Sequence, residues 1–89
     1  MYYAYVLQSL VADDFYKGST DSYLKRLEAH NKGECQLTRN KLPWKLIFVQ
    51  AFHSKHDAFV RKKELQKCNK EYLEWLVKQP QNILNSLDR

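Results

Sequence analysis

WKLIFVQAF, Trp44 to Phe52, is the strongest strand signal in the chain. Its apolar residues fall on both alternating faces for most of its length, the pattern of a central strand covered on both sides. Such a strand needs neighbours. The first is YYAYVLQS, Tyr2 to Ser9, where Tyr3, Tyr5 and Leu7 share one face and Ala4 and Val6 the other. LVADD then reads as a connection and DFYKGS as a short strand. A hairpin is their simplest pairing, although no Asn-Gly or Asp-Gly marks a tight turn.

Helices occupy the remaining periodic stretches. Gly18 stands just before Ser19, Thr20 and Asp21, one of which caps a helix expected over about Ser22 to Lys32. Leu24 and Leu27 form its apolar stripe, and Tyr23, Arg26 and His30 line the flank at three- and four-residue steps. Gly33 is the stop, and ECQLTRNKLP, residues 34–43, is a polar, basic loop. Pro43 biases Leu42 away from helix.

Ser54 and Asp57 fit a capping-box-like start for a second helix over about Lys55 to Cys68, burying Ala58, Phe59 and Leu65. Asn69 or its neighbours break it, and a third helix from Glu71 to Gln79 presents Tyr72, Leu73, Trp75 and Leu76. Pro80 ends that helix. A short last helix using Ile83, Leu84 and Leu87 falls in a tail over 80–89 prone to fraying. The expected architecture is a small three-stranded sheet with helices packed against it, one domain over residues 1–89.

Composition narrows the function classes. At 89 residues, with 44% hydrophobic and 28% charged positions, the chain can build a thin core and does not read as disordered. Its formal net charge of +5 points to an anionic partner, nucleic acid first and a membrane surface second. Cys35 and Cys68 are too few for a metal cluster and read as reduced thiols, a single disulfide being the alternative in an oxidising compartment. No apolar run approaches the roughly 20 residues that span a bilayer. The N-terminus lacks a signal-peptide pattern, so a cytoplasmic protein without a membrane partner is expected.

The side chains that could carry chemistry are Tyr5, Tyr16, Arg26, His30 and Glu64. A phenol can handle a proton, a guanidinium can clamp a phosphoryl group, an imidazole can relay a proton near neutral pH, and a glutamate can hold a divalent cation. Together they would serve a phosphodiesterase. Each also has a bland reading. Tyr5 and Tyr16 suit an aromatic-rich sheet, and Arg26 is one of 15 basic residues. His30 suits the last turn of a helix, and Glu64 sits in KKEL, an ordinary solvated helix face.

The order of these elements resembles the GIY-YIG nucleases, in particular small stand-alone proteins similar to the catalytic domain of UvrC. Tyr3-Ala4-Tyr5 stands for the first triplet, and Tyr16-Lys17-Gly18 follows at an interval of eleven residues from Tyr5 to Tyr16. Next come Arg26, the run His30-Asn31-Lys32-Gly33, the loop Thr38 to Lys41, Pro43-Trp44-Lys45-Leu46, and a helix with Arg61 to Leu65. The similarity runs over roughly residues 2–78. Two departures stand out: Tyr-Ala-Tyr replaces Gly-Ile-Tyr, and Lys17 takes the usual aliphatic place in the second triplet. Some members carry an asparagine after the metal glutamate, with Asn69 and Asn82 as counterparts by order.

The resemblance implies an α+β fold, a three-stranded antiparallel sheet flanked by helices in the order β-β-α-β-α-α. It implies a divalent-metal-dependent endonuclease that hydrolyses DNA. Tyr5 and Tyr16 would face one another and one of them, with His30, would prepare the water; Arg26 would hold the phosphate; Glu64 would bind one Mg2+ or Mn2+. Lys17, Lys32, Arg39, Lys41, Lys45 and Arg61 would meet DNA backbone phosphates. The partner would be DNA that is branched, flapped or damaged; no protein partner is evident. Two other readings stand beside this one: a non-catalytic nucleic-acid-binding module that keeps the fold, and an interaction protein with an incidental basic face.

Overall fold

The computed structural model describes residues 1–87. Its elements are β1 (Tyr2–Ser9), β2 (Phe15–Thr20), α1 (Tyr23–Asn31), a 3-10 turn (Arg39–Lys41), β3 (Trp44–Phe52), α2 (Lys55–Gln66), α3 (Lys70–Val77) and α4 (Leu84–Leu87). The expected tail over 80–89 is thus followed as far as Leu87, and its last two positions lie outside the described residues. The fold is α+β, a three-stranded antiparallel sheet flanked by helices.

β1, not the apolar run Trp44–Phe52, is the central strand: the order is β2-β1-β3. Tyr5 opposes Gly18 on β2 and Val49 on β3. β3 is an edge strand whose faces are covered. Being covered above and below by helices writes the same apolar pattern as being flanked in the plane of the sheet. The outer edge of β3 is occupied by the segment after α3. Val49 N–H donates to Asn82 Oδ1 at 3.1 Å, and Asn82 Nδ2 donates to the Ile47 carbonyl at 2.9 Å. Ile83 N–H donates to the Val49 carbonyl at 2.9 Å. Backbone groups that would otherwise invite another strand are satisfied by the chain itself.

The sheet separates two packing layers. On one face Ala4, Val6 and Phe48 meet Leu65 of α2 and Leu73 and Leu76 of α3. On the other, Tyr5, Leu7, Trp44 and Val49 form the core, with Tyr16, Tyr23, Leu27, Ile83 and Leu84 packed against it. The β1–β3 pairing shifts register between Val6 and Leu7.

The helices differ from the periodicity reading in which residues they bury. α1 rests on Tyr23, Leu27 and His30, spaced at i, i+4 and i+7, so Leu24 falls outside the stripe and is exposed. In α2, Ser54 Oγ accepts from Asp57 N–H at 3.0 Å as the capping pattern requires. Phe59, however, is exposed, with the ammonium groups of Lys62 and Lys63 lying 4.4 and 5.3 Å from its ring centroid. Asn69 does more than end α2. Its side chain accepts from Tyr72 N–H at 2.9 Å and starts α3, which buries Leu73 and Leu76 and leaves Tyr72 and Trp75 outside.

Candidate functional site

The Tyr-x-Gly element has a steric explanation. A Cβ added to Gly18 would sit 2.5 Å from the Tyr5 hydroxyl oxygen and 2.6 Å from Tyr5 Cζ. Glycine at 18 therefore lets the Tyr5 ring lie across β2. Tyr16 opposes Leu7 and emerges on the same face, its ring centroid 6.2 Å from that of Tyr5. From α1, the His30 ring comes within 4.6 Å of Tyr16 and 6.4 Å of Tyr5, measured between centroids. Tyr5 Oη stands 3.4 Å from His30 Nε2, a long contact. Arg26 stands one helical turn before His30, and the neighbouring Tyr5 phenol raises its guanidinium pKa further.

The electrostatics follow from burial. Tyr5 and His30 have essentially no exposed surface. Burial raises the Tyr5 pKa above that of an ordinary phenol, even though Arg26 pulls the other way. Burial and then the Arg26 charge lower His30, which favours the neutral imidazole. Arg26 itself belongs to the exposed side of α1, so the cluster presents one cation to solvent above a buried, uncharged floor.

Thr38 is a member that the sequence reading passed over. His30 Nδ1 lies 2.7 Å from Thr38 Oγ1, in a pair with no access to water. The Thr38 hydroxyl is turned to Cys35, whose carbonyl it approaches at 3.5 Å. Either the Thr38 hydroxyl or the imidazole N–H can be the donor in that pair, and Nε2 is the nitrogen that faces Tyr5. Trp44 Nε1–H donates to the Thr38 carbonyl at 2.9 Å and fixes the turn. Asn31 brackets the backbone of Trp44, accepting from its N–H at 2.7 Å and donating to its carbonyl at 3.0 Å. Gly33, at φ 77°, supplies the left-handed turn between them. His-Asn-x-Gly is thus one device for seating His30. The signal in the sequence was a lone threonine in a polar loop, indistinguishable there from a solvated residue.

Cys35 sits at the rim. Burial would raise its thiol, but the Thr38 hydroxyl, the N–H groups of Leu37 and Thr38, and Arg26 together bring it below an ordinary thiol.

Other expected site residues lie elsewhere. Glu64 is on α2, which packs on the opposite face of the sheet from Tyr5 and Tyr16. Its side chain is 58% exposed and is bonded to Arg61 at 3.1 Å. Lys17 opposes Val6, so it points to the α2 face rather than toward the tyrosines. Lys45 lines a groove with Gln8, Ile47 and Glu74 on the α3 side. Arg61 is also on that side. Lys32 and Arg39 remain around the turn that carries Thr38, with Lys32 bonded to Glu28 at 2.6 Å, while Lys41 is ion-paired with Asp14. Asn82 is the strut of the β3 edge, and Asn69 is a helix cap.

These positions test the fit of a divalent cation. Hard cations of the Mg2+ type need oxygen ligands, chiefly carboxylates. The aromatic–Arg26 cluster brings phenols, an imidazole and a guanidinium together, and its own members include no carboxylate. Among the described residues, no group of three or more His, Cys, Asp or Glu is assembled that could hold a metal. The donor set around Tyr5 and Tyr16 therefore does not fit such an ion, and Glu64 does not supply the missing oxygen there.

Comparison with known proteins agrees with the fold. The model of the GIY-YIG catalytic domain matches residues 1–82. A UPF0213 protein of Lacticaseibacillus paracasei is 48% identical over 59 residues, 64% of this chain and 64% of that protein, just under two thirds of its length. A UPF0213 protein of Streptococcus pneumoniae is 42% identical over 72 residues, 73% and 72% of the two chains, and one of Bacillus licheniformis is 38% identical over 78 residues, 82% and 79%. The solution NMR structure of a UPF0213 protein from Bacillus halodurans superposes with a TM-score of 0.54 at 28% identity, covering 91% of this chain and 87% of that one.

Proposed function

This chain belongs to the GIY-YIG family of catalytic domains, and from that premise we propose that it is a nucleic-acid-binding module that keeps the nuclease fold. It grips a backbone phosphate on Arg26 and Tyr16, above the buried Tyr5–His30–Thr38 floor. The observation that carries this reading is the separation of Glu64 from the tyrosines by the thickness of the sheet. The phosphate-gripping half of a nuclease site is together, and the carboxylate assigned to the metal is not. Arg26 is the exposed cation of the cluster, beside the Tyr5 phenol. An arginine there offers a planar fork to phosphate oxygens. Lys32 and Arg39 extend the positive surface around the Thr38 turn, and the net charge of +5 favours any polyanion.

The second reading, hydrolysis of DNA with Mg2+ or Mn2+, is favoured by the convergence of Tyr5, Tyr16, Arg26 and His30 on one face. One experiment separates the two. Branched, flapped and linear DNA are titrated with the protein at low and physiological salt, then followed for single-turnover cleavage with each metal. The binding reading expects salt-sensitive association, weakened by Arg26→Ala and untouched by Glu64→Gln, with no metal-dependent cleavage by either form. Cleavage by the wild type that disappears in Glu64→Gln would overturn it in favour of the metal nuclease. Cleavage that survives Glu64→Gln would overturn it too, and would place the metal on other ligands.

A further inference from the structure

We propose that the outward face of α2 is a second, weaker contact for nucleic acid, a lysine stripe that lies along the phosphate backbone of a duplex. The proposal takes its class of partner from the preceding reading. Its residues are others, and they point away from the sheet.

α2 turns Ala58 and Leu65 to the core and leaves Phe59 outside. At about 100° per residue, Lys55, Lys62, Lys63 and the C-cap Lys67 all fall within about 80° of Phe59, with His56 and Gln66 between them. The two acidic residues of α2, Asp57 and Glu64, stand about 160° and 140° away from Phe59 on the same wheel. Glu64 is moreover turned to Arg61, at 3.1 Å. The stripe therefore carries one sign of charge. Among the described residues, the ion pairs engage Lys32, Lys41, Arg61 and Lys70, none of them on it. At its N-terminal end Lys55 shares a hollow with Asp21, so the positive field is strongest from Lys62 to Lys67.

Phe59 gathers the cations. The ammonium groups of Lys62 and Lys63 lie 4.4 and 5.3 Å from its ring centroid. The ring attracts both of them and so holds two like charges side by side in water. Lys63 and Lys67 add a second like-charged pair at i, i+4, a spacing at which equal charges weaken a helix. The arrangement does not serve α2 itself. An external polyanion relieves both repulsions.

The side-chain chemistry selects among polyanions. Lysine is a compact, strongly hydrated point charge, and the desolvated centre of a protein interface is depleted of it. An acidic protein partner is therefore a poor fit. A membrane-surface helix needs an apolar face to bury, and the apolar face of α2 is already spent on the sheet. A duplex backbone asks for neither. It presents a charge about every 1.7 Å of its axis and is met through hydrated phosphates. The stripe, about 18 Å long from Lys55 to Lys67 at 1.5 Å per residue, lies along it as one rod beside another.

The test follows the anisotropy of a labelled short blunt duplex at low salt and over a salt series, using the intact chain. Arg26→Ala isolates the stripe, and some salt-sensitive binding should remain in it. Adding Lys62→Gln and Lys63→Gln should weaken that remainder about tenfold and reduce the slope of log affinity against log salt by about 2. Adding Lys70→Gln and Lys78→Gln instead, the same charge taken from α3, should leave the slope as it was. Equal affinity and slope with and without Lys62 and Lys63 overturns the stripe; if Arg26→Ala alone is weaker than the wild type, the Arg26 grip still stands. An equal loss on removing Lys70 and Lys78 overturns the stripe in favour of net charge alone. Phosphatidylserine vesicles that bind the wild type but not the Lys62→Gln, Lys63→Gln protein, with duplex binding unchanged, overturn it in favour of a lipid surface. If Arg26→Ala binds as the wild type does and the two lysines carry the affinity, the stripe stands and the Arg26 grip falls. Failure of the wild type to bind the duplex overturns both.

Discussion

The two faces of the sheet are built from the same three strands and obey different rules. Under α2 and α3, Ala4, Val6, Phe48, Leu65, Leu73 and Leu76 make an aliphatic and aromatic layer. Under α1, the layer around Tyr5, Leu7, Trp44 and Val49 also encloses His30 and Thr38, both essentially inaccessible to water. Burying polar groups is unfavourable unless each finds a partner, and each of these does. The first face holds the domain together. The second gives up part of that cohesion to hold an imidazole, two phenols and a guanidinium in a single arrangement.

The sharpest way to break this contrast is to damage the first face alone. Leu65→Ala removes a fully buried side chain from the aliphatic layer and should lower the unfolding free energy by about 2–5 kcal/mol. At temperatures where the variant is still folded, nucleic-acid affinity should be that of the wild type. Urea unfolding and a binding titration on the same preparation check both halves. A parallel loss of affinity would mean that the faces are not independent.

Gly18→Ala tests the second face. Its methyl group would meet the Tyr5 ring at 2.5 to 2.8 Å, and Tyr5 has no room to withdraw. The expected cost is about 1–3 kcal/mol in stability, accompanied by loss of duplex binding as Tyr5 and Arg26 are displaced. Unlike Leu65→Ala, this variant should bind poorly even where it is fully folded.

Thr38→Val keeps the shape and removes the hydroxyl bonded to His30 Nδ1. A buried polar nitrogen without a partner costs about 1–3 kcal/mol, so urea stability should fall by that amount. Thr38→Ser should recover most of it. The distinguishing readout is the nitrogen NMR spectrum of His30, with one tautomer shared by the wild type and Thr38→Ser, and a changed tautomer balance in Thr38→Val.

The smallest effect is one of pH. Burial and Arg26 hold the folded-state pKa of His30 below its ordinary value of 6.5. The unfolded chain therefore takes up a proton first as pH falls. The stability that neutral His30 allows is whole above about 6.5 and is lost progressively between that value and the lower folded-state pKa. Urea midpoints measured from about pH 7.5 down to about 5.5 should drift downward in the wild type, and less so in His30→Gln. A flat wild-type profile would contradict the buried, neutral imidazole.

Much of this is legible in the sequence. The strand limits Trp44–Phe52 follow from a run of apolar residues closed by Pro43 and Ser54, and the Ser54–Asp57 cap from short-range geometry. The hairpin was the simplest pairing of the first two strands, and the family resemblance implied that Tyr5 and Tyr16 face one another, as they do. These are local rules, in which a residue and its near neighbours decide the outcome.

Other features depended on which element packs where, and periodicity does not carry that information. An edge strand covered on two faces reads like a central one; β1 is central, and Asn82 and Ile83 close the outer edge of β3. A leucine one position off the contact stripe reads like a core residue, so Leu24 was expected inside. Glu64 shows the same limit. Its sequence order suited a place beside the tyrosines, but a helix can lie on either side of a sheet, and α2 lies on the far one. The sequence by itself determined the elements, the Ser54–Asp57 cap and the hairpin, because they rest on interactions within a few residues; α1 starts at Ser22 with no side-chain cap, not at Ser19, Thr20 or Asp21. Tertiary structure alone decided which face each helix covers, and with it that Thr38 joins the cluster while Glu64 does not.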